Sequence, residues 1–253
     1  GLLLLLVIGQ RGEGRLFHPV TAFTCSVGDS LPAAFVQRLP NVAQLRRVAI
    51  GAELVDGTLE LLMDEESRAC LAATLLTSHF SPEVAVRLQE QRRLHGEAFD
   101  YSVALDHSVG EQVRVSDVMG PGSYQPAARS QGFRRSIVMH YDHRCALCGI
   151  RIVTPEGQTA VDAAHIVPWS VSRNDDIRNG MALCKLCHWA FDRGMMSISD
   201  SYTVVLSRNL SSDNNAAGLL GVLTGRRLVG PLANELWPHR DNLAWHRKQY
   251  GFT

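Results

Sequence analysis

Hydrophobic and polar positions alternate with helical spacing over much of the first hundred residues. Leu31 to Val48 carries apolar residues at near-helical intervals, broken into two pieces by Pro40. Val55-Asp56-Gly57 marks a turn, and Leu59 to Met63 opens another apolar segment. Ser67 to Ser78 is rich in alanine and leucine, with Leu71, Leu75 and Leu76 on one face. Ser81-Pro82-Glu83 then starts a further helix, proline standing at the first helical position, and Val84 to Arg93 continues it. This pattern predicts a mostly helical N-terminal domain over residues 1–105. His18, His79 and His95 have no partners there at ligand spacing, so no catalytic constellation is expected in it.

The pattern changes afterwards. Residues 106–132 hold Gly110, Gly120, Pro121, Gly122, Pro126 and Gly132 among few apolar positions, the composition of a linker. A basic helix is expected from Phe133 to Tyr141, with Phe133, Ile137 and Tyr141 on one face and Arg134 and Arg135 on another. Thr159 to His165 reads as a short strand ending near Pro168, with Asp162 and Ala164 facing one way and His165 the other. Asn174 to Gly180 is a polar turn leading into Met181-Ala182-Leu183, and a helix ends at Gly194. Met195–Ser199 and Tyr202–Leu206 form a hairpin around Asp200-Ser201. Helices and short strands together predict an α+β chain, its third part covering residues 133–253.

Length and composition narrow the class without settling it. The 253 residues suit one large domain or two modest ones, with 45% hydrophobic content, enough for an ordinary core. The run Leu2 to Ile8 is far shorter than the roughly 20 residues that span a bilayer, so no membrane partner is expected. Twenty-five basic side chains balance 25 acidic ones, which alone predicts no attraction to polyanions. That balance is uneven along the chain. Residues 1–100 carry nine arginines against twelve acids, and residues 101–253 carry 16 basic against 13 acidic side chains. Only Lys185 and Lys248 are lysines, so the positive charge is nearly all guanidinium, the group suited to forked phosphate contacts.

Cysteine spacing supplies the first chemistry. Cys25 and Cys70 stand alone, whereas Cys145/Cys148 and Cys184/Cys187 form two CxxC pairs. Four soft thiolates in two such pairs suit a tetrahedral structural zinc in a reducing compartment, with the cytoplasm as the working assumption. Between and beside them, His188 and Asp192 lie four residues apart on one helical face, where imidazole and carboxylate can share a divalent cation.

His165, then Asn179, then His188, framed by Ala164-His165-Ile166-Val167-Pro168, Asn179-Gly180, Leu183-Cys184, Cys187-His188 and Phe191-Asp192-Arg193-Gly194, resembles the HNH endonucleases. The resemblance runs over about Phe133 to Ser199 and implies a zinc-stapled ββα-metal nuclease domain. Leu236-Trp237-Pro238 and Leu243-Ala244-Trp245-His246-Arg247 resemble the tail of bacterial restriction-type HNH proteins, and Leu71 to Leu88 the helical stretch that precedes HNH in modification-dependent ones. The implied activity is metal-dependent hydrolysis of DNA in host defence, with target choice by the N-terminal region. His165 would be the general base, Asn179 would hold its loop, and His188 and Asp192 would bind one Mg²⁺ or Mn²⁺. Many HNH members place a third ligand directly before the base, where Ala164 stands here, and Asp162 is the expected substitute. Arg134, Arg135, Arg173, Arg178 and Arg193 are the expected phosphate contacts, and a double-strand cut by a one-site enzyme would favour a homodimer. The aromatic residues Trp237, Trp245, His246 and Tyr250 either stack on bases or pack the tail against the nuclease core. A non-catalytic zinc module that binds nucleic acid or protein is the competing reading.

Overall fold

The computed structural model describes residues 20–25, 30–32, 49–54, 57–109, 124–154, 157–211 and 218–252. The chain divides into two compact units, Gly1–Leu88 and Gln89–Thr253. The apolar run Leu2 to Ile8, residues 33–48 of the Leu31–Val48 segment, and residues 110–123 of the expected linker lie outside the described residues.

In the first unit, β1 (Val20–Cys25) is the central strand of a three-stranded antiparallel sheet, flanked by β2 (Ser30–Pro32) and β3 (Ala49–Leu54). Helical spacing did not foretell this sheet: β1 and β2 form a hairpin, and β3 joins β1 from about 30 residues further on. The helices α1 (Thr58–Met63) and α2 (Glu65–His79) follow. The Asp64 side chain accepts from the Ser67 backbone N–H at 2.8 Å and so caps α2. Helix α3 (Pro82–Ser108) starts at the expected proline and runs on through the division between the units. The part of α3 beyond Leu88 belongs to the second unit, where Ala98, Tyr101, Ser102 and Leu105 are buried.

Helix α4 (Pro126–His140) begins about two turns before Phe133. Pro126 reads as a linker residue, yet at the first helical position it loses no hydrogen bond. Gly132, buried inside α4, has a separate use. A Cβ there would lie 2.6 Å from the Ala98 carbonyl oxygen and 2.9 Å from the Tyr101 ring, so the absent side chain lets α3 and α4 touch.

The core of the second unit gathers Phe133, Ile137 and Val138 of α4 with a two-stranded antiparallel sheet, β4 (Val161–His165) and β5 (Gly180–Cys184). The register sets Ala164 opposite Met181 and His165 opposite Gly180. Gly180 sits directly under α4. A Cβ there would meet Ile137 Cδ1 at 2.4 Å and Phe133 at 2.8 Å, so its role is room rather than an unusual dihedral angle. Between the strands lie the short α5 (Trp169–Ser172) and a 3₁₀ turn, Ile177–Asn179. Helix α6 (Lys185–Asp192) follows β5 directly and buries Cys187, Ala190 and Phe191, completing a ββα unit.

Beyond it, β6 (Met196–Ile198) and β7 (Val204–Leu206) pair antiparallel as the expected hairpin. The short α7 (Gly218–Val222) and α8 (Arg240–Gln249) finish the chain. Among the described residues, no helix is long and apolar enough to cross a membrane.

Candidate functional site

The two CxxC pairs meet at one end of the ββα unit. The Gly149 N–H donates to the Cys145 carbonyl at 2.8 Å and Gly149 adopts a φ of 77°, which closes the tight turn of the first pair. The Ala146 N–H donates to the Ala182 carbonyl at 2.8 Å, fastening that turn to β5. Cys184 ends β5 and caps α6, and Cys187 lies in the first turn of that helix.

All four sulfurs lie within 4.8 Å of one another. Cys148 Sγ and Cys184 Sγ are 3.7 Å apart, close to the ~3.8 Å edge of a tetrahedron built on ~2.3 Å metal–sulfur bonds. The thiols also compete for ionisation. A hydrogen bond from Cys187 holds Cys145 well below the usual thiol range, while the same contact pushes Cys187 up and burial pushes Cys148 up. Crowded thiolates repel one another, so full ionisation needs a cation among them, and the four sulfurs lie close enough to share one metal ion.

His165 stands at the far end of β4. Its Nε2 lies 2.8 Å from Asp175 Oδ1, and its ring stacks on Phe133 with centroids 4.0 Å apart and planes 9° from parallel. Asn179 is fully buried. Its Oδ1 accepts from the Val167 N–H at 2.9 Å, and its Nδ2 donates to the carbonyls of Val167 at 3.0 Å and Asn174 at 2.9 Å. Three side-chain bonds to backbone thus fix the segment that follows His165. The Ile166 N–H also donates to the Asn179 carbonyl at 2.8 Å.

Asp175 is the residue that sequence reasoning missed. It is 5% exposed, and its Oδ2 accepts from the Tyr101 hydroxyl at 2.7 Å and from the Arg129 guanidinium. Arg129 in turn lies 3.7 Å over the Trp169 ring. Burial raises the Asp175 carboxyl, but hydrogen bonds from His165, Tyr101 and Arg129 outweigh it and hold the group below the usual carboxylate range. Within Asn174-Asp175-Asp176 nothing but a polar turn is legible. The partners come from helices 46 and 74 residues earlier, at a distance no local spacing records.

On α6, His188 Nε2 and Asp192 Oδ2 are 3.4 Å apart, as the four-residue spacing requires. Both side chains reach solvent, 26% and 54% exposed. Burial raises the Asp192 carboxyl above its usual value despite the opposing pull of His188 and Arg193. Asp162 does not join them. Among the described residues the only gathering of three or more metal-ligand side chains is the cysteine cluster. The Asp162 carboxylate instead pairs with Arg134 at 2.7 Å and Lys185 at 3.2 Å. Burial raises its pKa, but those two cations bring the net shift below the ordinary value. The expected third ligand is thus committed to two cations.

The arginines divide into two groups. Arg134 is held by Asp162, and Arg178 forks onto Asp176 with contacts of 2.6 to 3.2 Å. Among the described residues, Arg135, Arg173 and Arg193 have no ion pair, although Arg135 lies over Phe99 and Arg173 over Trp169. The tail packs inward. His246 is 2% exposed, stacks on Phe191 at 3.7 Å, faces Ser197 Oγ at 2.9 Å through Nδ1, and lies 3.1 Å from the Phe191 carbonyl through Nε2. Trp237 packs edge-on against Tyr202, and the Tyr250 hydroxyl donates to the Asp192 carbonyl at 2.6 Å.

Residues 145–199, from the first CxxC pair to the residue after β6, match the HNH endonuclease family. A solved structure described as a modification-dependent TagI restriction endonuclease aligns with 46% of this chain at 26% identity and a TM-score of 0.34. The aligned part covers 36% of that protein's length. No curated protein matches the chain.

Proposed function

We propose that the chain is a metal-dependent HNH endonuclease that hydrolyses phosphodiester bonds in DNA. The observation that carries this reading is the coincidence of the family match at residues 145–199 with a ββα unit in which Asn179 ties down the loop after His165. An unconstrained imidazole at a strand end would be an ordinary surface histidine. Here its ring is stacked, hydrogen-bonded and anchored from behind.

The chemistry follows from those groups. A water oxygen attacks phosphorus, its proton passes to the neutral imidazole of His165, and the bond from phosphorus to the 3′ oxygen breaks. The products are a 5′-phosphate and, after the leaving oxygen gains a proton from solvent, a 3′-hydroxyl. Asn179 keeps the general base in place. His188 and Asp192 would hold a single Mg²⁺ or Mn²⁺, which supplies charge stabilisation at the phosphate and leaving oxygen. Two protein ligands suit such a hard ion, because it commonly keeps several waters and substrate oxygens in its shell. The four cysteines would hold a structural zinc: a closed sulfur shell leaves no open position for substrate.

The setting we propose is restriction, in a reducing cytoplasm, with the N-terminal unit selecting the target. It rests on the likeness of the tail around Trp237 and Trp245 to restriction-type HNH proteins, and on thiols that must stay reduced to bind metal. The test is incubation of the purified chain with supercoiled plasmid and with modified genomic DNA across Mg²⁺ and Mn²⁺. Cleavage that stops on chelation and leaves 5′-phosphate ends is expected. Intact DNA under every metal, with zinc still bound, would support the non-catalytic zinc module instead.

A further inference from the structure

The hydrogen bonds around Asp175 determine which nitrogen of His165 is available. An ionised carboxylate only accepts, so the 2.8 Å contact from Asp175 Oδ1 requires a proton on His165 Nε2. The carboxylate cannot turn away to another partner. Its second oxygen is taken by the Tyr101 hydroxyl at 2.7 Å and by Arg129, and the group is buried. Phe133 covers one face of the imidazole at 4.0 Å and opposes rotation of the ring. The lone pair of the neutral ring is then left on Nδ1.

We propose that Asp175 is a positioning residue that locks His165 in its Nε2–H tautomer, so that Nδ1 is the atom that accepts the proton from water. The catalytic consequence rests on the nuclease reading above. In the step itself, the water proton moves to Nδ1, and the imidazolium formed keeps its Nε2–H bond to a carboxylate that offsets the new charge. Tyr101 and Arg129 belong to the same device, since they hold the carboxylate in line. Tyr101 comes from α3 and reaches the site only because Gly132 admits that helix against α4.

Asp175→Asn should reverse the tautomer. The amide oxygen would turn to the donors Tyr101 and Arg129, presenting the NH₂ to His165 Nε2, which then accepts and leaves the proton on Nδ1. The measurement is ¹⁵N NMR of the His165 ring in the full chain, above the pH at which imidazole is charged, together with cleavage kinetics. Wild type should show the Nε2–H form. Asp175→Asn should show the Nδ1–H form, with kcat reduced about 10²-fold or more and KM little changed. Tyr101→Phe, which removes one donor, should keep the tautomer and lower kcat a few-fold.

An Nδ1–H wild type overturns the proposal. So does an Asp175→Asn variant that retains the Nε2–H form, or one that cleaves at the wild-type rate. If Asp175→Asn does not fold, the wild-type tautomer decides alone. If wild type cuts no DNA, the nuclease reading fails, while the ring spectrum still judges whether Asp175 sets the tautomer.

Discussion

His246 shows how a residue that invites a functional reading can be structural. Tryptophan and histidine near a chain end suggest base stacking, but this imidazole is enclosed by Phe191, Ser197 and Tyr250. Burial lowers its pKa from 6.5 to about 4, so it is neutral in the folded protein near pH 7. The unfolded chain takes up that proton first as the pH falls. Stability from this group is therefore complete above pH 6.5 and is lost as the pH drops from 6.5 toward 4. The full loss is on the order of 3 kcal/mol. Urea unfolding between those limits should show the decline in wild type and a flatter profile in His246→Gln.

Within the ββα unit, the elements are too small to hold themselves together. The strands β4 and β5 have five residues each and α6 has eight. A two-stranded hairpin of this size is marginal alone. The cysteine cluster joins three pieces of it: the turn at Cys145–Cys148, the end of β5 and the first turn of α6. Binding a structural zinc at such a site is worth on the order of 10 kcal/mol. Elemental analysis should find one zinc per chain. Removing it with a strong chelator, or replacing Cys187 with Ser, should abolish hydrogen-exchange protection across β4, β5 and α6. Protection that survives a metal-free state would mean that packing alone suffices.

The legibility of the elements follows the range of their contacts. The CxxC pairs, the His188–Asp192 spacing and the β6–β7 hairpin are local patterns, and the structure shows each as spaced. Helix α4 includes Pro126 and Gly132, two residue types that usually mark breaks. One is a helix start and the other a contact point for α3. Asp175 and the pairing of Asp162 with Arg134 depend on tertiary approach, and no periodicity encodes them. The pairing of β1 with β3 joins segments about 30 residues apart, and helical spacing does not record it.

At the scale of the whole molecule, the zero net charge conceals a front of −3 and a back of +3, so bulk attraction to DNA is weak. Several of the back's arginines are neutralised by their own neighbours. Arg134 and Arg178 are paired with aspartates, whereas Arg135, Arg173 and Arg193 have no ion pair among the described residues. Non-specific DNA affinity should thus fall with salt at a slope set by few phosphates, about −0.9 for each one contacted. Arg173→Ala and Arg193→Ala should each lower that slope by about one and weaken binding evenly across sequences. Arg178→Ala should leave the slope unchanged and destabilise the turn at Asp176. Titrations of unmodified duplex at several salt concentrations distinguish these outcomes.

If His165 removes a proton from water during DNA hydrolysis, taking away its imidazole must cost rate without costing DNA binding. Wild type and His165→Ala, matched for zinc content and folded far-ultraviolet spectrum, are assayed on the same DNA with Mg²⁺ or Mn²⁺. Wild type should cleave, and the variant should lose at least about 10²-fold in rate with DNA affinity retained. Equal cleavage by the two proteins would mean that His165 is not the general base.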